Sequence, residues 1–410
     1  MNSTFRTSQY LPEKQSKLIP TNWRWVKLED LAKLQSGGTP LRGNAQYYGG
    51  TIPWAKIQDL TNSGKWISST EEYITEIAIQ DSSAQIFPEK TVLFAMYGSI
   101  GTCSIAEKPI ATNQAILGCV CGDQLLPEYL YFWFSYNKEK FLKMGRGGTQ
   151  ANLNAGIVKS FEIPLPPLEE QKRIAARLDE QMRHIEQARL AAEESLSAAR
   201  ELPSAYLQEV LGSDVSNTWT KTQLGEVLTL RKEVIHPYDN PKGPAVFVGL
   251  EHIESNTGIR TGSVEVEMSK LTGRKPKYYK GDIVYGYLRP YLNKVWVAEF
   301  NGLCSVDQYV YSVDENKADT DFIAWFMRSP IYLKRAPVNG APGQLPRIRT
   351  EEVASVEINL PPLKEQKKIA SQISKKLSTT NELISTLETQ LAEIESLPSA
   401  VLGQAFAGEI

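Results

Sequence analysis

Two long segments of the chain place apolar residues at steps of three and four. One series runs Ile174, Leu178, Met182, Ile185, Ala188, Ala192, Leu196, Ala199. The other runs Ile369, Ile373, Leu377, Leu383, Leu387, Leu391, Ile394, and the positions between are filled mainly by Glu, Gln, Lys, Arg and Ser. This spacing lays one apolar stripe along a helix, close to the seam of a coiled coil. Each segment predicts a helix of about 30–35 residues, roughly 45–50 Å long at 1.5 Å per residue. Elsewhere the pattern shortens. Val92–Tyr97 and Ile116–Val120 are brief apolar runs that predict strands. Leu130–Phe134 and Phe322–Met327 predict short aromatic helices. Turn chemistry is dense between them, at Ser36–Pro40, Tyr48–Gly50 and Arg146–Thr149.

The two helical segments are copies. Each opens on the same words: Leu-Pro-Pro-Leu-Glu-Glu-Gln-Lys-Arg-Ile-Ala at 165–175 and Leu-Pro-Pro-Leu-Lys-Glu-Gln-Lys-Lys-Ile-Ala at 360–370. A second matched pair, Leu202-Pro203-Ser204-Ala205 and Leu397-Pro398-Ser399-Ala400, keeps the same offset of 195. Prolines suit a helix entry, and a spacer without insertion or deletion is a rigid one. The repeat extends outward with drifting offsets. Trp23 and Leu28 correspond to Trp219 and Leu224, and Ile57–Leu60 to Leu250–Ile253. Thr91–Phe94 matches Asp282–Tyr285, Asn113-Gln114 matches Asp307-Gln308, and Phe161–Ile163 matches Val356–Ile358. Two blocks of one mixed, mostly β fold thus diverge in their loops while their mounting stays fixed, the pattern expected when loops carry specificity.

Burying a large aliphatic side chain is worth about 1.5–3 kcal/mol, so the two stripes are expected to pack on each other. Connectivity makes that packing antiparallel, because the first helix leaves one block for the other and the second returns. Small-against-large filling is expected along the seam, with Ala188, Ala192 and Ala199 opposite Leu383, Leu387 and Ile394.

Composition narrows the class. Hydrophobic residues make up 41% and charged residues 22%, as in ordinary soluble proteins, and no apolar run approaches membrane-span length. Met1–Lys17 is polar and lacks the apolar core of a secretion signal. The four cysteines, Cys103, Cys119, Cys121 and Cys304, form neither a disulfide framework nor zinc spacing, so a cytoplasmic location is expected. With 45 basic against 47 acidic residues the net charge is −2, which is not the footprint of a protein that grips nucleic acid unaided. Any basic surface is local, or a partner supplies phosphate contacts.

Catalytic signatures are missing: no phosphate loop, no strand-anchored dinucleotide fingerprint, and three scattered histidines. Ser36–Thr39 resembles a phosphate cradle but leads into Pro40 and predicts a tight turn. The remaining chemistry is polar, basic and aromatic side chains on loops. Arg and Lys match the guanine edge, Asn and Gln the adenine edge, and lysines more often hold phosphates. The candidate DNA contacts in the first block are Gly38, Thr39, Arg42, Tyr47, Lys56, Tyr97, Arg146, Gln150 and Asn152. In the second they are Arg231, Lys232, Arg274, Lys275, Lys277, Arg289, Tyr291, Asn293, Lys294, Arg347 and Arg349.

These residues, in this order, resemble the specificity subunit of type I restriction–modification systems. The resemblance rests on Gly37–Pro40, Ile52-Pro53-Trp54 with Asp59-Leu60, Gly98–Gly101, Asn113-Gln114, Gly148-Thr149-Gln150, the doubled Leu-Pro-Pro-Leu-x-Glu-Gln-Lys, Leu288–Lys294, and the tail Ala405–Glu409. It implies an α+β chain of two pseudo-symmetric, β-rich target recognition domains joined by two long antiparallel helices forming a coiled coil. The expected boundaries are 1–165 and 213–360 for the domains, and 166–212 and 361–410 for the helices. It further implies a non-catalytic subunit in which each domain reads one half of a bipartite double-stranded DNA target. Its implied partners are two modification subunits, which hold S-adenosylmethionine and methylate adenine, and restriction subunits, which use ATP and Mg2+. No metal, cofactor or membrane contact is implied for this chain. The similar chain of a system cutting on both sides of its site, a stand-alone enzyme and a coiled-coil adaptor without a DNA role stay open as alternatives. The second block has Arg231-Lys232-Glu233 where the first has Gly-Gly-Thr-Pro, so no role of Gly37–Pro40 transfers to it.

Overall fold

The computed structural model describes residues 19–146, 153–212, 218–337 and 345–410. They divide into two compact units, one built from residues up to Ala191 together with Gln390–Ile410, the other from Ala192–Thr389.

In the first unit the chain forms β1 (Arg24–Lys27), β2 (Ala32–Ser36), β3 (Tyr48–Ala55), α1 (Ile57–Ser63), β4 (Trp66–Ile67), β5 (Glu72–Ile74), α2 (Glu76–Asp81), β6 (Ile86–Phe87), β7 (Val92–Ala95), β8 (Cys103–Ala106), β9 (Ile110–Thr112), β10 (Ile116–Cys121), α3 (Pro127–Arg146), α4 (Ala155–Lys159), β11 (Glu162–Leu165) and the long α5 (Leu168–Gly212). One sheet has the order β2-β10-β7-β8-β4, a second β5-β3-β9-β6, and β1 pairs β11. The continuous apolar run of β7 has a simple cause. Val92 and Phe94 face a core shared with α3 and the long helices, whereas Leu93 and Ala95 face a second core against Phe87 and Ile110. A strand buried on both sides needs no polar alternation. The aromatic helix is longer than expected, 20 residues, because Phe141 beyond the predicted stretch joins Phe94, Phe134 and Phe161 in the core.

The second unit contains β12 (Thr220–Gln223), β13 (Leu228–Leu230), β14 (Val234–Ile235), β15 (Pro244–Val248), β16 (Val264–Glu267), β17 (Lys275–Tyr278), β18 (Ile283–Gly286), β19 (Val295–Val297), β20 (Gly302–Cys304), β21 (Gln308–Val313), α6 (Thr320–Arg328), α7 (Pro330–Arg335), α8 (Thr350–Ser355), β22 (Glu357–Leu360) and the start of α9 (Leu363–Ala407). Its topology repeats that of the first. The order β13-β21-β18-β19 matches β2-β10-β7-β8, and β12 pairs β22 as β1 pairs β11. β15 takes one antiparallel and one parallel neighbour, as β3 does. The differences lie at sheet edges, with β4 added in one unit and β14 in the other.

The long helices are 45 residues each, about 68 Å at 1.5 Å per residue, longer than the 30–35 that the apolar periodicity alone predicts. They run through Pro203 and Pro398 rather than ending there. An interior proline costs about 3 kcal/mol. Beyond Pro203, Leu207 and Leu211 are buried in the second unit; beyond Pro398, Leu402, Ala405 and Phe406 are buried in the first. At about 1.5–3 kcal/mol per large side chain, that burial outweighs the proline. In the first unit, Ile174 and Leu178 near the start of α5 share a core with Leu402 and Phe406 near the end of α9. In the second, Leu207 and Leu211 share one with Ile373 and Leu377. The pair is antiparallel, as expected. One detail is corrected: Leu383 is 44% exposed and Ala188 is exposed. The seam runs Leu377, Thr380, Ile384, Leu387, Leu391, Ile394, with Thr380 buried at a position its polarity disguised. Ala188 and Leu383 therefore take no part in small-against-large filling.

The duplicated motif has a structural cause that its composition hides. Gln171 is fully buried; its carbonyl accepts from Leu126 N–H (2.9 Å), and its amide donates to Gln124 O (2.8 Å) and Pro166 O (3.0 Å). Gln366 repeats this with Asp319 N–H (2.8 Å), Lys317 O (3.1 Å) and Pro361 O (2.8 Å). In each unit one amide ties the first turn of a long helix to the loop that opens the aromatic helix.

Candidate nucleic-acid interface

In the first unit, the sheet edge around β3 and β5 brings together residues far apart in sequence. Arg42 lies over the rings of Tyr48 (5.0 Å) and Trp54 (4.9 Å), and its Nη1 donates to Glu72 Oε2 at 2.6 Å. The other oxygen of Glu72 accepts from Lys56 Nζ at 2.8 Å, and Lys56 also reaches Glu71 at 3.0 Å. Glu72 thus bridges two cations. Its hydrogen bond to Arg42, then that to Lys56, holds its carboxyl below the usual range, and the same bond raises Arg42. Buried Asp59 fixes the backbone beneath, accepting from Lys56 N–H (2.7 Å) and Glu71 N–H (2.9 Å).

The Gly37–Pro40 stretch is not the expected tight turn but an irregular segment that follows β2. A Cβ on Gly37 would meet Thr112, and one on Gly38 the backbone of Ser83 and Ala84, so glycine is required for close approach. Gly38 N–H donates to Thr112 O (2.9 Å), and its carbonyl accepts from Trp54 Nε1 (3.0 Å). Its backbone is engaged within the protein. Thr39 donates to Gln114. Tyr47 reaches Asp81 at 3.4 Å, and Tyr97 is half-buried against the main core. The Arg146 side chain, Gln150 and Asn152 lie outside the described residues.

The second unit carries two clusters. In one, Arg231 Nε donates to buried Asp282 (2.6 Å) and its guanidinium lies over Tyr279 (4.9 Å). Lys277 lies over the same ring (4.8 Å), and Tyr279 OH donates to Glu233 (2.6 Å). In the other, Tyr287 and Tyr309 stack at 4.2 Å. Burial raises the Tyr287 hydroxyl pKa, with Arg347 and Arg274 acting against it. Leu288 bridges Arg347, and Arg289, at φ +53°, donates its N–H to Pro346 O. Tyr291 is exposed. Lys232 and Arg349 are exposed as well, Arg349 at the start of α8.

Three candidates hold the framework. Asn293 is buried and donates to Arg328 O (2.8 Å), Lys294 donates to Leu250 O (2.6 Å), and Lys275 covers Phe247 (4.9 Å). Sequence reasoning named the cations but missed the carboxylates that position them, Glu71, Glu72, Glu233 and Asp282. Nothing local marks these, since the Arg42–Glu72 and Arg231–Asp282 pairs span 30 and 51 residues.

Two β-rich units of one topology, each with cation–aromatic clusters beside a sheet and a long helix clamped by glutamine, define a duplicated recognition module. The chain matches the type I restriction modification DNA specificity domain twice, over residues 20–193 and 216–393, and belongs to that family. It is 24% identical to the Escherichia coli EcoDI specificity subunit over 96% of this chain and 89% of that one. The MjaIX specificity subunit of Methanocaldococcus jannaschii is 28% identical over 68% of this chain and 69% of the relative. In fold it is similar to a chain from a structure describing complex assembly and conformational transition of a type I R-M system (TM-score 0.76, 19% identity, covering 96% of this chain and 100% of that one). It also resembles the HsdS subunit of Thermoanaerobacter tengcongensis (TM-score 0.62, 18% identity, 96% and 98% covered).

Proposed function

We infer that this specificity subunit reads a bipartite double-stranded DNA target, one half-site per unit, with α5 and α9 fixing the gap between half-sites. The observation that carries the reading is the duplication: the same sheet topology and the same glutamine clamp occur twice, on helices of equal length. In this reading the Arg42–Lys56 cluster serves one half-site, and the Arg231–Lys277 and Tyr287–Tyr309 clusters serve the other. Their cations reach base edges or phosphates. The candidates outside the described residues, Arg146, Gln150 and Asn152, belong to the first reader. The helices dock two modification subunits, and restriction subunits join that assembly. S-adenosylmethionine, ATP and Mg2+ reside on those partners, and the chain contributes recognition rather than catalysis, in the cytoplasm.

The test is a pair of altered chains assembled with their partners and scored by mapping methylated adenines. Four residues inserted at equal depth in both helices add about 6 Å, against roughly 3.4 Å per base pair. The recognised gap should lengthen by about one or two base pairs with both half-sites unchanged. Exchanging residues 23–160 for another such block should change one half-site only. An unaltered gap would refute the spacing role, and two altered half-sites would refute the division of labour.

A further inference from the structure

The second unit holds a cavity of about 960 Å³ whose walls come from α5, α6, α7, α9 and the loop at Glu254–Ile259. Its lining includes apolar Pro203, Leu207, Leu333 and Ile384. Arg328, at the end of α6, is only 9% exposed and lines this space. The guanidinium lies over Trp325 at 4.4 Å, and Nε donates to Val295 O at 2.9 Å. Gly258, at φ +71°, lets the loop close over it, since a Cβ there would fall on Nε and Cζ. Among the described residues no carboxylate lies within 4.0 Å of this guanidinium. Arg200 pairs with Glu388 (2.6 Å), and Glu254 accepts from Thr257 (2.7 Å). Beyond its Nε bond the guanidinium donates to no other protein atom among the described residues, and burial pulls this cation down to about 10 with Asp321 acting against it.

The first unit solves the same problem internally. Lys65 lies over Tyr131 and Phe132 of α3, and its ammonium meets Asp179 of α5 at 2.5 Å. The fixed offset of 195 carries Asp179 onto Ser374 of α9. Ser374 lines the cavity and accepts from Trp325 Nε1 at 3.1 Å. The acid that completes the first unit is therefore a serine in the second.

We propose that this cavity accepts one carboxylate carried on an apolar segment of the docked modification subunit, completing in trans what Asp179 completes in cis. The apolar wall suits a peptide better than a phosphodiester, and Glu254 and Glu388 disfavour a polyanion. The proposal rests on the docking reading above.

The experiment is calorimetric titration of the modification subunit into the full chain, its Ser374→Asp variant and its Ser374→Asn variant. Ser374→Asp places an acid beside Arg328. It should raise the melting temperature of the free chain and weaken one of the two docking events by at least about tenfold. Ser374→Asn, of matching size, should leave both near wild type. Equal loss with Ser374→Asn would mean packing alone and overturn the proposal. So would unchanged docking of Ser374→Asp, or a loss confined to DNA binding by the free chain, which would assign the cavity to phosphate. If the wild-type chain fails to bind the subunit, the docking reading falls too; if it binds and Ser374→Asp binds equally, only this proposal falls.

Discussion

Gln366→Met tests whether the repeated motif is a structural clamp. Methionine matches glutamine in length but offers neither donor nor acceptor of comparable strength. The change strands one N–H, of Asp319, and two carbonyls, of Lys317 and Pro361. Each buried polar group left unpaired costs about 1–3 kcal/mol. Carbonyls tolerate this better than N–H groups, and regained apolar contact offsets part of it, so the expected loss is about 2–4 kcal/mol. The effect should be local. Asp319 also caps α6 through Phe322 N–H (3.0 Å), so its amide and the first turn of α6 should lose hydrogen-exchange protection. The Leu126 amide, held by Gln171, should be unaffected. Gln171→Met should give the mirror result. Gln366→Glu adds a sign test: an ionised carboxylate facing two carbonyls is disfavoured, which raises its folded-state pKa above the unfolded value. Its penalty should therefore shrink as pH falls toward about 4, where the neutral acid regains a donor. Urea unfolding and exchange mass spectrometry read all three. Losses under about 0.5 kcal/mol, or protection lost equally at Asp319 and Leu126 in both variants, would refute the clamp.

Glu72→Gln releases Arg42 and leaves Lys56 paired with Glu71 alone, and should tighten binding to non-target DNA, adding about one counterion to the salt dependence; an unchanged slope would place Arg42 away from phosphate. Because the folded-state pKa of Glu72 is lowered, its pairing is intact above the ordinary carboxylate range and is lost only as pH falls through that lowered value. DNA affinity should thus show no Glu72-dependent step between pH 5 and 8, checked by comparing the wild type with Glu72→Gln. Burial pushes the thiols of Cys103, Cys121 and Cys304 up to about 12, so native protein at pH 8 should resist iodoacetamide at these three cysteines and take it up there once unfolded, as read by mass spectrometry. Leu383→Ala should cost less than about 0.5 kcal/mol, and Ile384→Ala at least about 1 kcal/mol; the reverse order in thermal unfolding would restore the expected seam.

Central strands were legible because burial on both faces leaves an apolar run, as in Val92–Ala95 and Ile283–Tyr285. Edge strands of two residues, such as β4 and β14, are too short for any period to register. The helices were legible, although their periodicity alone registered only about 30–35 of the 45 residues in each. Pro203 lies inside α5, and the burial of Leu207 and Leu211 beyond it explains why the helix continues. Thr380 misled the seam by one position, because a buried hydroxyl that donates back to Lys376 O looks in sequence like a surface residue. The cationic candidates could be named from residue type alone. What selects among them is whether sheet pairing delivers a carboxylate or a ring: Arg42 and Arg231 receive both, whereas Asn293 is drawn inward by Arg328 O.

The same contrast explains why duplication and divergence coexist in one chain. The mounting depends on backbone groups: the amides of Gln171 and Gln366 meet carbonyls and N–H groups of loops, partners that any substitution short of proline or an altered loop length preserves. The candidate reading surfaces depend on side chains, and they differ. Glu72 bridges two cations in one unit, whereas a tyrosine carries two cations on its ring in the other. These two clusters are nearly charge-balanced, which limits nonspecific grip and leaves discrimination to the placement of a few pre-oriented donors. A fold mounted through backbone and read through side chains can change its target without changing its frame.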